Sequence, residues 1–394
     1  MPVIDSPGFQ RLREIKQLGL VYLIFPGASH TRFEHSIGTS HKVNVMFPKY
    51  GNNSDLSSDE LEAIRLTALL HDTSHGPYSH QLEVLQESLT GRSHEDFLFS
   101  SLKEDFEEAI EEVGFSFNDI IKVFQGKTYE IIGDIIGADK IDYITRDLYH
   151  AGFSEPDVRT LMSYVIFTKK SGLCLDEKGL NLLAVFLHQW HVAHLEIYWR
   201  KASLIVQSML RRCVWDAIER GYLELEELRK MRDYEVNVKI LAAGGRSAEL
   251  FRRILERELY KTSIVLKIEG YEKFERIANK PIKVIPVPED VARRLPLENR
   301  DFEKILEIEE SLSRDLGTDV ILSTTPQLER MKPKDPKIYF SDTDEIKHLS
   351  EIDPGFLKYQ QKFPKQAWTI RVTVPQAYRK KVYEKSNVVK DHFL

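Results

Sequence analysis

The 394-residue chain is 42% hydrophobic and 29% charged with a net charge of −6, an ordinary globular composition that can bury at least one substantial core. No apolar run approaches the roughly 18 residues needed to cross a bilayer, the charge gives no global electrostatic case for binding polymeric nucleic acid, and two cysteines (Cys174, Cys213) do not make a disulfide framework. The start, Met1-Pro2-Val3-Ile4-Asp5, lacks the basic flank and apolar stretch of a secretory signal, so a cytoplasmic protein is expected.

Residues 1 to about 155 read as helices broken by short polar loops. Ser58-Asp59-Glu60 precedes Leu61, Ile64, Leu66, Leu69 and Leu70, which predicts a helix with one apolar face and an acidic first turn. It ends on an adjacent imidazole and carboxylate in Leu69-Leu70-His71-Asp72-Thr73-Ser74-His75-Gly76-Pro77-Tyr78-Ser79-His80, where Gly76-Pro77 breaks the helix. Ile131, Ile132, Ile135, Ile136, Ile141, Ile144 and Leu148 predict a second helix from Tyr129 to His150, weakened slightly by Gly133 and Gly137. A hairpin is expected from Tyr164–Phe167 and Leu173–Leu175 around Lys170-Ser171-Gly172, then a long helical stretch from about Leu180 to Arg220 carrying Phe186, Trp190, His194, Ile197 and Tyr198.

Beyond about residue 260 the pattern turns to β-branched runs with Pro and Gly punctuation: Ser263–Ile268, Ile282–Val287, Val320–Ser323, Ile338–Phe340 and Trp368–Val374. They predict a small, mainly antiparallel sheet. The expected fold class is mainly α, with a helical core over residues 1–260 and a smaller C-terminal α+β region over 261–394.

The His71-Asp72 dyad suits holding a metal better than filling a core, and His35 upstream and Asp139 downstream are available partners. Such donors suit divalent Fe, Mn, Co, Ni or Zn, and the lack of thiolates argues against a closed structural zinc site. Taken singly, His35 also reads as a surface or capping histidine and Asp139 as a helix-face charge. His75, His80 and His94 could donate protons or contact phosphate, with Glu83 three residues after His80 placed to orient it, or could be loop histidines in water.

Asp5-Ser6-Pro7-Gly8-Phe9-Gln10-Arg11-Leu12-Arg13, Phe25-Pro26-Gly27-Ala28-Ser29-His30-Thr31-Arg32-Phe33-Glu34-His35-Ser36, the dyad segment and Ala138-Asp139-Lys140-Ile141-Asp142-Tyr143 with Arg146-Asp147 together resemble the HD-domain deoxynucleoside triphosphate triphosphohydrolases. The likeness is to the catalytic core of the SAM- and HD-domain enzymes, without the SAM domain, and is specific over residues 1 to about 200. It implies an HD-type core with His35, His71, Asp72 and Asp139 as ligands of one divalent transition metal. It places His75, His80 and His94 around the reacting phosphate, His80 as general acid. Arg32 and Lys140 fall at phosphate contacts, Gln17 and Asp147 at the sugar 3′ hydroxyl, and Leu18, Tyr143 and Tyr198 on the wall that excludes a 2′ hydroxyl. Mg²⁺ would accompany the nucleotide phosphates, and a homo-oligomer is implied.

Two departures stand out. Trp190 occupies the place of the family's phosphate-binding arginine, as a core residue or a substrate contact. Asp5, Gln10 and Arg13 match guanine-recognising allosteric positions without the residues contributed from further upstream, leaving either a nucleotide-activator site or a local ion pair. The expected activity is hydrolysis of a dNTP to deoxynucleoside and tripolyphosphate. The alternatives are a nucleotidase or phosphodiesterase acting on a monophosphate or cyclic nucleotide, which Trp190 favours, and a nucleotide-sensing module without turnover.

Overall fold

The computed structural model describes residues 2–48, 54–275, 282–295 and 302–394. Its strands in chain order are β1 (Val165–Thr168), β2 (Gly172–Asp176), β3 (Lys261–Ile268), β4 (Lys283–Val287), β5 (Ile321–Thr324), β6 (Lys337–Phe340), β7 (Glu345–His348) and β8 (Ile370–Val374). Helices make up most of the rest, so the molecule is mainly α. It divides into two compact units, one formed by Met1–Ser79, His94–Ile197 and Pro333–Leu357, the other by His80–Ser93, Tyr198–Lys332 and Lys358–Leu394. Both take segments from either side of residue 260, where the sequence pattern changes.

In the first unit the helix Arg32–Met46 packs on Ser58–Leu70 and on Ala138–Ala151. Phe9, Leu12, Phe33, Leu69, Leu102 and Phe106 belong to one buried cluster beneath them, with Phe9 and Phe33 edge to face at 5.2 Å. The second of these helices carries the expected acidic first turn and is capped by Ser57: its hydroxyl accepts from Glu60 N and the Glu60 carboxylate accepts from Ser57 N at 2.8 Å, satisfying two N-terminal amides. The predicted hairpin forms as β1 and β2, antiparallel with Val165 opposite Leu175.

The single helix expected from Tyr129 to His150 is instead two, Glu130–Gly133 and Ala138–Ala151. The isoleucines are buried on both sides of the break, so apolar periodicity runs through a corner. Asp134 Oδ1 accepts from Ile136 N at 3.3 Å within that corner, and a Cβ on Gly137 would sit 2.4 Å from the Ile132 carbonyl oxygen. Likewise the stretch from Leu180 to Arg220 is not continuous: Leu180–Val192 widens into a π-helical segment at Ala193–Tyr198, and a new helix runs Lys201–Glu219.

Among the described residues two four-stranded sheets form, ordered β1-β2-β6-β7 and β4-β3-β8-β5. The second belongs to the second unit and is antiparallel except for the β3–β4 pair. β6, expected in that sheet, pairs in parallel with β2 in the first unit, Leu175 opposite Ile338. β7 had no sequence signal because all four of its residues are exposed. Cys174 and Cys213 are free and buried, as small hydrophobes should be. Among the described residues no helix is long and apolar enough to cross a membrane.

Candidate metal centre

Each predicted ligand is held by the end or face of a helix. His71 caps the helix Ser58–Leu70, and its Nδ1–H donates to Ala68 O at 2.7 Å while Thr73 Oγ1 donates to Leu70 O at 2.8 Å. These bonds satisfy terminal carbonyls and leave the lone pair of His71 Nε2 pointing outward. His35 lies in the first turn of Arg32–Met46, and Asp139 in the first turn of Ala138–Ala151, where a helix N-terminus favours a carboxylate.

His35, His71 and Asp139 each offer a ligand atom, all within 4.8 Å of one another. His35 Nε2 is 3.2 Å from Asp139 Oδ1 and 3.3 Å from Asp72 Oδ2; His71 Nε2 is 3.6 Å from Asp139 Oδ1 and 3.4 Å from Asp72 Oδ1. Both Nε2 atoms are buried without a hydrogen bond. Two orphaned imidazole lone pairs against two carboxylates are a donor set that a divalent cation fits. Asp72 is shared: Arg32 Nη1 donates to its Oδ2, and His75 Nε2 lies 3.4 Å from its Oδ1.

The charges agree. Burial alone would raise the Asp72 carboxyl, but Arg32, His71 and His75 hold it well below the usual range. Burial opposes charge on His35, yet Asp139, Asp142 and Asp72 pull its pKa well above the ordinary value. Asp139 is likewise depressed by His35, His71 and Lys140 against its burial. Carboxylates that demand a proton on an imidazole would accept a metal in its place.

Sequence reasoning missed the groups that brace these ligands. His35 Nδ1–H donates to Asp142 Oδ2 at 3.0 Å, and Arg146 grips the same carboxylate through Nε at 2.8 Å and Nη2 at 3.0 Å. A carboxylate behind a histidine fixes its tautomer and ring orientation. A Cβ on Gly38 would lie 2.2 Å from Asp142 Oδ1, so only glycine admits the brace. The spacing Asp139, Asp142, Arg146 on one helical face was the available signal. Arg32 is held by Nε donating to Ser79 Oγ at 2.8 Å, and Ser79 in turn donates to Lys16 O. Tyr78 and Ser79 both have positive φ, 59° and 54°, a strained corner of the kind found at functional sites. Arg11 Nη2 donates to the carbonyls of Thr73 and His75, tying down the dyad loop.

Lys140 Nζ lies 3.9 Å from Asp139 Oδ2 and donates to Gly133 O at 3.1 Å. Tyr143 faces His35, ring centroids 6.5 Å apart, and the buried Trp190 side chain hydrogen-bonds the Tyr143 hydroxyl while packing tilted on His194, ring centroids 3.9 Å apart. Trp190 is thus both buried and part of the wall beside Tyr143. Asp147 is buried and accepts from His30 Nε2 at 2.7 Å, a partner the sequence did not suggest. Gln17 is buried with Oε1 unpartnered, and Leu18 follows it, half-buried.

His80 opens a helix of the second unit; its ring is exposed and paired with Glu83, the orienting residue expected. Tyr198 also belongs to the second unit. The side chain of His94 lies outside the described residues. Of the three allosteric candidates, Gln10 binds Ile4 O, while Arg13 donates to Gln10 at 2.8 Å and lies 3.6 Å from the Phe33 ring centroid; Asp5 is exposed nearby in the chain.

The HD-domain profile matches residues 32–149 and the HD-associated region matches 157–391. An uncharacterized protein of Methanocaldococcus jannaschii is 31% identical over 99% of this chain and 78% of its own length. The deoxynucleoside triphosphate triphosphohydrolase SAMHD1 homolog of Dictyostelium discoideum is 30% identical over 68% of this chain, and human SAMHD1 26% identical over 66%. The chain spans about half the length of each of those two, 54% and 46%. Among solved structures, a hypothetical protein from Aquifex aeolicus superposes with a TM-score of 0.70 at 27% identity, covering 96% of this chain and 94% of that one. A phosphohydrolase of Bacteroides thetaiotaomicron gives 0.69 at 20% identity over 95% and 94%, a likeness of fold. The chain belongs to the HD-domain phosphohydrolases that carry the HD-associated region, the family of the deoxynucleoside triphosphate triphosphohydrolases its motifs resemble.

Proposed function

We propose that this protein hydrolyses dNTPs to deoxynucleoside and tripolyphosphate. The observation that carries the reading is the convergence of unpartnered His35 Nε2 and His71 Nε2 on Asp72 and Asp139, with Arg32 and Lys140 beside them. His35, His71, Asp72 and Asp139 would hold a divalent transition metal, whose chemistry is to ionise water and offset phosphoryl charge. Arg32 keeps an unpartnered Nη2 in a buried setting, a fixed charge suited to a phosphate oxygen. Lys140 would add a second cation, and preorganised positive charge of this kind lowers the barrier most where water is excluded.

His75 is within reach of Asp72 and would move protons at the reacting phosphate. Asp147 and Gln17 would hold the sugar 3′ hydroxyl, with Leu18 and Tyr143 denying space to a 2′ hydroxyl. Trp190, packed against His194 where a cation was expected, supports a second reading, a nucleotidase or phosphodiesterase with little grip on a terminal phosphate. Incubation with Mn²⁺ or Mg²⁺ and a panel of dNTPs, NTPs, monophosphates and cyclic nucleotides, followed by chromatography, separates the readings. Tripolyphosphate released from dNTPs is expected. Orthophosphate from monophosphates alone would establish the second reading, and binding without products would leave only a sensor.

A further inference from the structure

We infer that Lys334 is a further phosphate-binding residue of this site, supplying the cation missing at Trp190; the inference rests on the dNTP reading above. Lys334 comes from far along the chain, and the fold pins it beside Lys140. β6 is fixed in the first unit by its parallel pairing with β2, and by Lys337 Nζ, which donates to Glu130 Oε2 at 2.8 Å and Ser171 O at 2.9 Å. Three residues earlier, Lys334 Nζ donates to Gly133 O at 3.3 Å, the same oxygen that accepts from Lys140 Nζ at 3.1 Å.

Two ammonium groups converging on one carbonyl repel each other unless negative charge lies close by. Asp139, beside Lys140, belongs to the candidate metal cluster, and Glu130 is engaged by Lys337. Asp134, half-buried, has its carboxyl raised by burial against the pull of Lys334 and Lys140, and it is one carboxylate facing two ammonium groups. A polyphosphate chain leaving the metal cluster past Lys140 would meet Lys334 next. An ammonium offers three donors, and Lys334 uses one on Gly133. Its exposure keeps the head group accessible to a polyanion.

The contrary role is purely structural: both lysines would close the C-terminal end of the short helix Glu130–Gly133. Titration of the metal-loaded full chain with inorganic tripolyphosphate, pyrophosphate and orthophosphate, for wild type, Lys334→Ala and Lys334→Arg, distinguishes them, with melting temperatures measured alongside. Lys334→Gln replaces the alanine variant should that fail to fold. Removal of the charge should weaken tripolyphosphate roughly five-fold, an exposed charge-assisted bond being worth about 1 kcal/mol. Orthophosphate affinity should be unchanged and Lys334→Arg should bind like wild type. A lowered melting temperature with unchanged tripolyphosphate affinity would assign the structural role and overturn the inference. Wild type that turns over dNTPs while the alanine variant matches its phosphate binding overturns this inference alone; wild type that neither binds polyphosphate nor cleaves dNTPs overturns both.

Discussion

Asp142 is not one of the candidate ligands, yet the orientation of His35 depends on it. Asp142→Asn keeps the shape but offers one carbonyl oxygen where Arg146 and His35 now share two carboxylate oxygens. Loss of such a brace reduces metal affinity by about 10–100-fold, measurable as metal retained after dialysis. Gly38→Ala tests the same contact from the other helix. Alanine gains about 1 kcal/mol of helix propensity, but its methyl would overlap Asp142, and overpacking costs about 1–3 kcal/mol. The balance predicts lower stability and weaker metal binding together; full metal retention in both variants would remove Asp142 from the argument. Asp72→Ala should abolish bound metal and turnover, but it also strands buried Arg32, a loss of about 3–5 kcal/mol. Asp72→Asn is the cleaner variant, and turnover with wild-type metal content would exclude Asp72 as a ligand.

At the scale of elements, the helix Phe302–Leu316 is joined to β5 by one carboxylate. Glu309 Oε1 accepts from Leu322 N at 2.7 Å, and its Oε2 lies 3.4 Å from Arg212 Nη1 on the helix Lys201–Glu219. Burial pushes the Glu309 carboxyl up from 4.5 to about 7 despite the pull of Arg212. The folded state therefore binds a proton that the unfolded state releases, so this contribution is complete below pH 4.5 and fades as pH rises through about 7. Carboxylates with depressed pKa values, such as Asp142 and Glu275, act with the opposite sign and at lower pH. Glu309→Gln keeps an acceptor for Leu322 N and removes the titration. Its stability relative to wild type, followed by denaturant midpoints, should rise between pH 4.5 and 7; a constant difference across that window means Glu309 does not titrate there.

For the whole molecule, a ligand that binds only the folded chain stabilises it by mass action, about 2.7 kcal/mol at a hundred times Kd. Mn²⁺ should raise the melting temperature, a chelator should reverse the rise, and Asp72→Asn should not respond. An equal response from Asp72→Asn would locate the effect elsewhere. The parts of this centre differ in how visible they were beforehand. His71 and Asp72 could be read because a capped helix ends on them, and local rules govern helix ends. Asp142 and His30 could not, since each acquires its role from a residue 107 or 117 positions away.

Local pattern by itself determined the mainly helical class, the β1–β2 hairpin, the acidic first turn at Asp59 and Glu60 and the adjacency of the dyad, because backbone propensity and helix-end preferences act within a few residues. The corner at Asp134–Gly137 escaped it, since buried isoleucines keep helical spacing through a turn. Only tertiary structure decided that β6 joins β2, that Gly38 lets Asp142 reach His35, and that Lys334 arrives beside Lys140. Those are contacts between distant segments, and they exist because burial of separate apolar faces, not sequence spacing, brings the segments together.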